Sequence, residues 1–314
     1  MRIDDQLIGR RAGRIATLAT AYLLVCQFAF GWGHEGHRII AKIAAKNLSA
    51  TARQKTAAIL GTNDAGLDAA LAEAATWPDE IDKSATQTDS WHFINVAVTK
   101  PFSTAGLCPS HNCVVDRIVE MQGRLAANTK GFALPVTPVP NRPMTSQELA
   151  FLVHFVGDVH QPLHAATDGD RGGNCVPLTT PLVHPDGTST TNLHGVWDVD
   201  EVLAVMSALG DENATADTLF QRFKNGTTVT QGTPTDWAKA SWSLARTAVY
   251  QKLHLPNRTA PAGQCAAGIQ KIAVTSAYVT AQVSSVERQL LRAGIRLSTA
   301  LNQICASNGC EATP

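Results

Sequence analysis

The sequence predicts an all-α, mainly helical protein folded as one domain. Two long stretches, Asp236 to Leu253 and Cys265 to Leu301, keep apolar residues at helical spacing with no internal proline. Helix boundary signals recur along the chain. Strand signals are few: Trp91 to Val98 is the best of them, and it is short. The 26 Lys and Arg balance 26 Asp and Glu, and hydrophobic residues make up 44% of the 314 residues. That composition excludes a disordered chain, a collagen-like repeat and a coiled coil. It also excludes a protein that holds nucleic acid by net positive charge, because there is no basic excess. Any grip on a phosphate must come from a local charge, such as a metal.

The elements follow in order. Arg10, Arg11 and Arg14 precede an apolar run from Ile15 to Phe30, and Ala29-Phe30-Gly31 offers small residues at a cleavage site. This is the layout of a secretory signal, expected to span residues 1–31, to leave Trp32 as the first mature residue and to leave no membrane anchor. The run is shorter than a spanning helix needs. Ile39, Ile40, Ile43 and Ala44 recur at helical spacing, Ser49 suits an N-cap, and Gly61 suits a stop. Val114 to Ala127 is periodic. Thr145-Ser146-Gln147-Glu148 fits a capping box, which predicts a helix from Leu149 onward that ends at Pro162. Leu134 to Pro143 and Gly169 to Thr191 read as loops, rich in proline in one case and in Gly, Thr and Pro in the other. Residues 32–314 then form the single domain, since candidate ligands lie on both sides of each loop.

Cys26 would leave with the signal. The other six, Cys108, Cys113, Cys175, Cys265, Cys305 and Cys310, are an even number in an exported chain, which points to disulfides. The close pairs, Cys108 with Cys113 and Cys305 with Cys310, could each close a small loop.

The chemistry lies in histidines and aspartates. His154 and Asp158 are at i and i+4, and His194 and Asp198 repeat that spacing. On a helix such residues share a face. His160 and His164 flank Pro162, where a turn can swing His164 from the first pair towards the second. Upstream, Asp79 follows Trp77-Pro78, His92 follows Trp91, and His37 lies five residues after Trp32. Imidazole nitrogen with carboxylate oxygen is the donor set of a hydrolytic zinc site, and the cysteines are not needed for it.

These residues sit in Trp32-Gly-His-Glu-Gly-His37, Trp77-Pro-Asp-Glu80, Trp91-His-Phe-Ile-Asn95, Leu152-Val-His-Phe-Val-Gly-Asp158, Gln161-Pro-Leu-His164, Gly172-Gly-Asn174 and Asn192-Leu-His-Gly-Val-Trp-Asp198. In that order, from Trp32 to Asp198, the motifs resemble the S1/P1-type zinc-dependent single-strand nucleases (nuclease I). Ala293-Gly-Ile-Arg-Leu297 is similar to the closing helix of bacterial members. The resemblance implies the phospholipase C / P1 nuclease-like fold and three zinc ions. Their ligands would be Asp79, His92, His154 and Asp158 for the first. The backbone of Trp32 with His37 and Asp158 would hold the second, and His164, His194 and Asp198 the third. Asp158 would bridge two ions. Three zincs and three ligand aspartates leave a cationic site in a neutral chain. The resemblance further implies a monomer, and hydrolysis of RNA and single-stranded DNA to 5′-mononucleotides, with 3′-nucleotides as further substrates. Phe93 would stack on a base, Asn95 and Asn174 would contact substrate, and a short disulfide loop would join Cys108 to Cys113.

Two positions depart from the family pattern. Asn95 stands where fungal members carry an acidic residue. Asp82 stands where a Lys or Arg assists with the phosphate, and Lys83 follows it as a candidate substitute. Asn47, Asn213, Asn225 and Asn257 lie in glycosylation sequons. A zinc-dependent phospholipase C and a non-enzymatic exported zinc-binding protein are the alternative readings.

Overall fold

A computed structural model describes residues 31–81, 86–127, 143–224 and 231–311. The signal reading of residues 1–31 therefore lies outside the described residues except for Gly31. So do Asp82, Lys83 and most of the proline-rich stretch before Pro143.

The helices are α1 (Gly33–Lys46), α2 (Ala50–Ile59), α3 (Leu67–Glu80), α4 (Val114–Ala127), α5 (Met144–Asp158), α6 (Glu201–Leu209), α7 (Glu212–Lys224), α8 (Pro234–Leu244) and α9 (Ser276–Ala306). Residues from Met144 to Asp158 are buried almost without exception, so α5 is enclosed on all sides and runs through the centre. Against it pack α3 and α4; α1 packs on α3, α7 and α9. Ile39, Ile40 and Ile43 of α1 and Leu290 and Ile295 of α9 are fully buried in the shared core. Helix α1 comes close to α5 because Gly157 has no side chain: a Cβ there would stand 2.7 Å from His37 Nδ1. The bare backbone lets His37 of α1 reach His154 and Asp158 of α5.

Most of the expected boundaries hold. Ser49 caps α2 by accepting from Ala52 N at 3.2 Å, Gly61 follows α2 with a left-handed φ of +68°, and α4 spans the predicted residues. Other expectations need correction. The Thr145–Glu148 capping box does not form. Pro143 sets the helix start, and Glu148 instead lies inside α5, 3.4 Å from Arg124 Nη1. Helix α5 ends at Asp158, before Pro162, which opens a short 3-10 turn to His164. The segment from Cys265 is irregular until α9 begins at Ser276, with Thr275 as N-cap. Helix α8 continues as a π-helical turn, Ala245–Gln251.

The strand reading is too generous in one place and too sparse in another. Of Trp91 to Val98, only β1 (Val96–Ala97) is a strand, paired in parallel with β2 (Ala166–Thr167). Conversely, the expected loop Gly169 to Thr191 contains most of a hairpin, β3 (Pro177–Val183) with β4 (Ser189–Asn192), antiparallel. Its turn, His184-Pro-Asp-Gly187, carries the residue types that close a chain reversal, with Gly187 at φ +85°.

Three disulfides are present: Cys108–Cys113, Cys175–Cys265 and Cys305–Cys310. The first is the expected one. The second ties the loop before β3 to the segment before α9.

Candidate metal centre

The nine expected ligands come from α1 and the residue before it, from α3 and α5 and the turns after them, and from the turns after β4. His154 and Asp158 lie one turn apart on α5. Asp79 is on the last turn of α3, and His92 ends a 3-10 turn, Asp89–His92. His194 lies on a short helical turn after β4, and Asp198 on the π-helical turn that follows it. All seven side chains named so far or next to them, those of Asp79, His92, His154, Asp158, His164, His194 and Asp198, are buried, as are His37 and Trp32.

The ligand atoms converge. His92 Nδ1 stands 3.0 Å from both His154 Nε2 and Asp158 Oδ2, and His154 Nε2 stands 3.1 Å from Asp158 Oδ2. Asp79 Oδ1 is 3.5 Å from His154 Nε2 and 3.6 Å from His92 Nδ1. Asp158 turns its other oxygen elsewhere: Oδ1 is 3.4 Å from His37 Nε2 and 3.6 Å from His164 Nδ1. A second group gathers beside it. His194 Nε2 is 3.1 Å from His164 Nε2 and 3.3 Å from Asp198 Oδ2. Ligands about 2.1 Å from a tetrahedral ion stand about 3.4 Å from one another, so these spacings suit zinc.

The hydrogen bonds behind these side chains prepare the rings to receive a cation. His154 Nδ1 donates to Ala75 O at 2.7 Å, His194 Nδ1 to Gly172 O at 2.6 Å, and His164 Nδ1 to His92 O at 2.7 Å. Each backbone carbonyl fixes a ring proton on Nδ1, which leaves a bare lone pair on Nε2 of the neutral rings, those of His164 and His194. The lone pairs of His164 and His194 then face each other in a buried site, which is repulsive unless a positive charge lies between them. Gln161 holds the next ligand: its Nε2 donates to Asp198 Oδ1 at 2.5 Å while its Oε1 accepts from Leu163 N. Sequence reasoning placed Gln161 in a motif without giving it a role. The signal available was its position immediately before Pro162, where a side chain can close the turn.

The electrostatics agree. Burial and the neighbouring His154 push His37 down to about 4. Burial and His164 push His194 down to about 3. Burial opposes charge on His154 too, but Asp158 and Asp79 outweigh it and hold that imidazole up to about 10. Against its burial, the charges of His154 and His164 keep Asp158 well below the usual carboxylate range. The cluster thus demands positive charge at its centre and rejects it at its rim.

Gly31 lies at the same place. A side chain on it would collide with Asp158 Oδ1 and His37 Nε2. The residue preceding Trp32 therefore occupies the space between two ligands.

The substrate-side candidates are less tightly placed. Phe93 and Asn95 are half-buried beside His92, and the Phe93 carbonyl accepts from Val114 N at 3.2 Å. Asn174 is half-buried, and its Nδ2 donates to Arg171 O at 2.9 Å. Cys108, Cys113 and Asp116 also lie close together, but both sulfurs are committed to the disulfide.

The sequence profile of the family described as S1/P1 Nuclease matches residues 32–306. Nuclease S1 of Aspergillus oryzae is 30% identical over 68% of this chain and 70% of its own length. Nuclease P1 of Penicillium citrinum is 27% identical over 88% of this chain and 98% of its own length. Endonuclease 2 of Arabidopsis thaliana is 26% identical over 87% of this chain and 90% of its own length.

Proposed function

The chain belongs to the S1/P1 nuclease family, and from that premise we propose that it is an exported, monomeric, zinc-dependent hydrolase with three metal ions. Its substrates are RNA and single-stranded DNA, which it cuts to 5′-mononucleotides, and 3′-nucleotides. The observation that carries the reading is the pair of opposed, proton-free Nε2 atoms on His164 and His194, beside a second cluster joined through Asp158.

The donor set fits zinc. Asp79, His92, His154 and Asp158 would hold one ion. Trp32 through its backbone, His37 and Asp158 would hold a second. His164, His194 and Asp198 would hold the third. When bound, zinc lowers the pKa of water and draws charge from phosphoryl oxygens. The protein's own part is orientation. Ala75 O, His92 O and Gly172 O set the ring tautomers, Gln161 aims Asp198, and burial keeps the surroundings of low dielectric. Phe93 offers a half-buried ring on which an unstacked base can lie, and Asn95 and Asn174 offer amides to it. A base held in a duplex cannot reach that ring without unstacking, which accounts for the single-strand preference. Lys83 supplies charge for the phosphate.

Residues 1–31 act as a secretory signal, and 32–314 as the mature domain. Among the described residues, no helix is long and apolar enough to cross a membrane. The three disulfides favour an oxidising compartment.

One purified mature preparation tests the reading. It should release 5′-mononucleotides from single-stranded DNA and RNA, act on 3′-nucleotides, cut duplex DNA far more slowly, and lose all of this to a chelator. Preferential hydrolysis of phosphatidylcholine would replace it with the phospholipase reading. Tight zinc without turnover on any of these substrates would replace it with a binding role.

A further inference from the structure

The neutral charge of the whole chain conceals a local asymmetry. From Trp237 to Val286 there is no Asp or Glu, whereas Lys239, Arg246, Lys252, Arg258 and Lys271 all fall in that stretch. From Ser90 to Val115 there is again no acid, and Lys100 falls there. The fold brings the two stretches together. Trp242 Nε1 donates to Ala97 O at 3.3 Å, and Phe102 packs edge-on against Trp242 with ring centres 5.7 Å apart.

Between them opens a cavity of about 570 Å³, lined among others by Val98, Thr99, Arg246, Tyr250, Gln251 and His254. That volume falls in the range of small-molecule sites. Arg246, Gln251 and His254 are exposed. Two acids bonded to this part of the fold, Asp168 and Asp170, are buried and engaged. Asp170 Oδ1 accepts from Tyr250 Oη at 3.0 Å, and Asp168 Oδ1 accepts from Arg258 N at 2.9 Å. The mouth is therefore cationic.

Its backbone is unusual in two ways. Arg246, Tyr250 and Gln251 lie on the π-helical turn Ala245–Gln251, a geometry found mostly at functional sites. His254 is held at φ +52°, a left-handed conformation that costs energy for a residue with a side chain.

One backbone segment joins the cavity wall to the turn that carries His164. Ile94 N donates to His164 O at 2.7 Å, and four residues further along the same segment Val98 N donates to Thr167 O at 3.0 Å. At no more than about 3.3 Å per residue, the four residues from Ile94 to Val98 span at most about 13 Å. A single strand covers that distance within a few nucleotides.

We propose that this cavity is a strand subsite, which binds a nucleotide of RNA or single-stranded DNA away from the bond being cut. Arg246 takes its phosphate, and the His254 ring takes its base. The subsite rests on the nuclease reading above and adds to it how a long substrate is held.

The test compares the mature holoenzyme with Arg246→Glu, Arg246→Lys and His254→Gly, using a long oligothymidylate and a 3′-mononucleotide. Glycine retains the left-handed backbone at 254 while removing the ring. Arg246→Glu should raise KM for the oligonucleotide about tenfold with kcat unchanged, and should flatten its salt dependence by about 0.7 in the log–log slope, one phosphate contact. His254→Gly should raise the same KM, and Arg246→Lys should restore most of the affinity. The mononucleotide should be cut as before by all three. Unchanged oligonucleotide KM in Arg246→Glu overturns the subsite while leaving the nuclease reading intact. Equal losses on both substrates overturn it too, because Arg246 would then support the fold or the metal centre. So does a changed inhibition by free 5′-mononucleotide with unchanged oligonucleotide KM, which would assign the cavity to product. A wild-type enzyme that cuts neither substrate fails the nuclease reading itself, and the subsite with it.

Discussion

Asp158 serves the two halves of the centre with different oxygens, Oδ2 towards His92 and His154 and Oδ1 towards His37 and His164. Asp198 stands with His194 and His164. Asp158→Asn should therefore reduce hydrolysis more than Asp198→Asn, by about tenfold or more, and should reduce zinc content more. Equal activity losses with full zinc in both variants would contradict the bridging role. A second residue carries an opposite kind of consequence. Glu201 is buried with neither carboxylate oxygen hydrogen-bonded, and burial followed by the charge of Asp200 pushes its pKa from 4.5 up to about 9. Its folded form holds a proton that the unfolded chain releases above pH 4.5. Its contribution is complete below that pH and is lost as pH rises towards 9. Glu201→Leu should raise Tm more at pH 8 than at pH 5, by a difference on the order of 5 °C. The same difference at both pH values would show that Glu201 is not neutral in the fold. At this scale the ligand types and their spacings were legible, because each is a local pattern of chemistry. The carbonyls that set the tautomers were not: Ala75, Gly172 and the backbone of His92 act through atoms that every residue possesses.

Helix α5 was legible from its apolar run, but its start was not. The capping-box letters are present, yet Pro143 sets the boundary and Glu148 is drawn to Arg124 across the packing of α4 on α5. Tertiary contacts thus decide between two local signals. The hairpin β3–β4 was read as loop because its strands are mostly exposed and lack an alternating apolar pattern. It is stabilised from outside itself. Leu178 bridges Ile272, Thr179 N donates to Ile272 O at 2.8 Å, and Cys175–Cys265 fastens the loop that precedes it. That loop carries the Gly172 carbonyl that fixes His194. Replacing Cys175 and Cys265 together by Ser should lower Tm, since the bond closes a long loop of 90 residues, with a stabilisation of up to about 4 kcal/mol at stake. It should also release zinc from the His164, His194 and Asp198 group at lower chelator concentration than from the other ligands. Uniform zinc release with only a lower Tm would confine the disulfide to a global role.

The chain is neutral as a whole, so any charge that grips a phosphate must be gathered locally. The architecture follows from that need: a helix buried on all sides carries His154 and Asp158, and surrounding helices and turns bring the other ligands to it. The helical architecture was legible in periodicity alone. The meeting of α1 with α5 was not, because it depends on what Gly157 lacks. The N-terminus joins the two scales. A chain that begins at Trp32 presents a free amine, whereas a peptide-bonded nitrogen has its lone pair delocalised and is a poor ligand. Gly31, when attached, stands between Asp158 and His37.

Zinc content per chain, measured by atomic emission on the purified protein beginning at Trp32 and on the same protein retaining Gly31, tests the account most directly. Three zinc ions are predicted for the first and two for the second, with the loss of most hydrolytic activity accompanying the missing ion while both remain folded. Equal zinc content and equal activity in the two proteins would contradict the assignment of a metal to the Trp32 amine, and fewer than three ions in the mature chain would contradict the trinuclear centre.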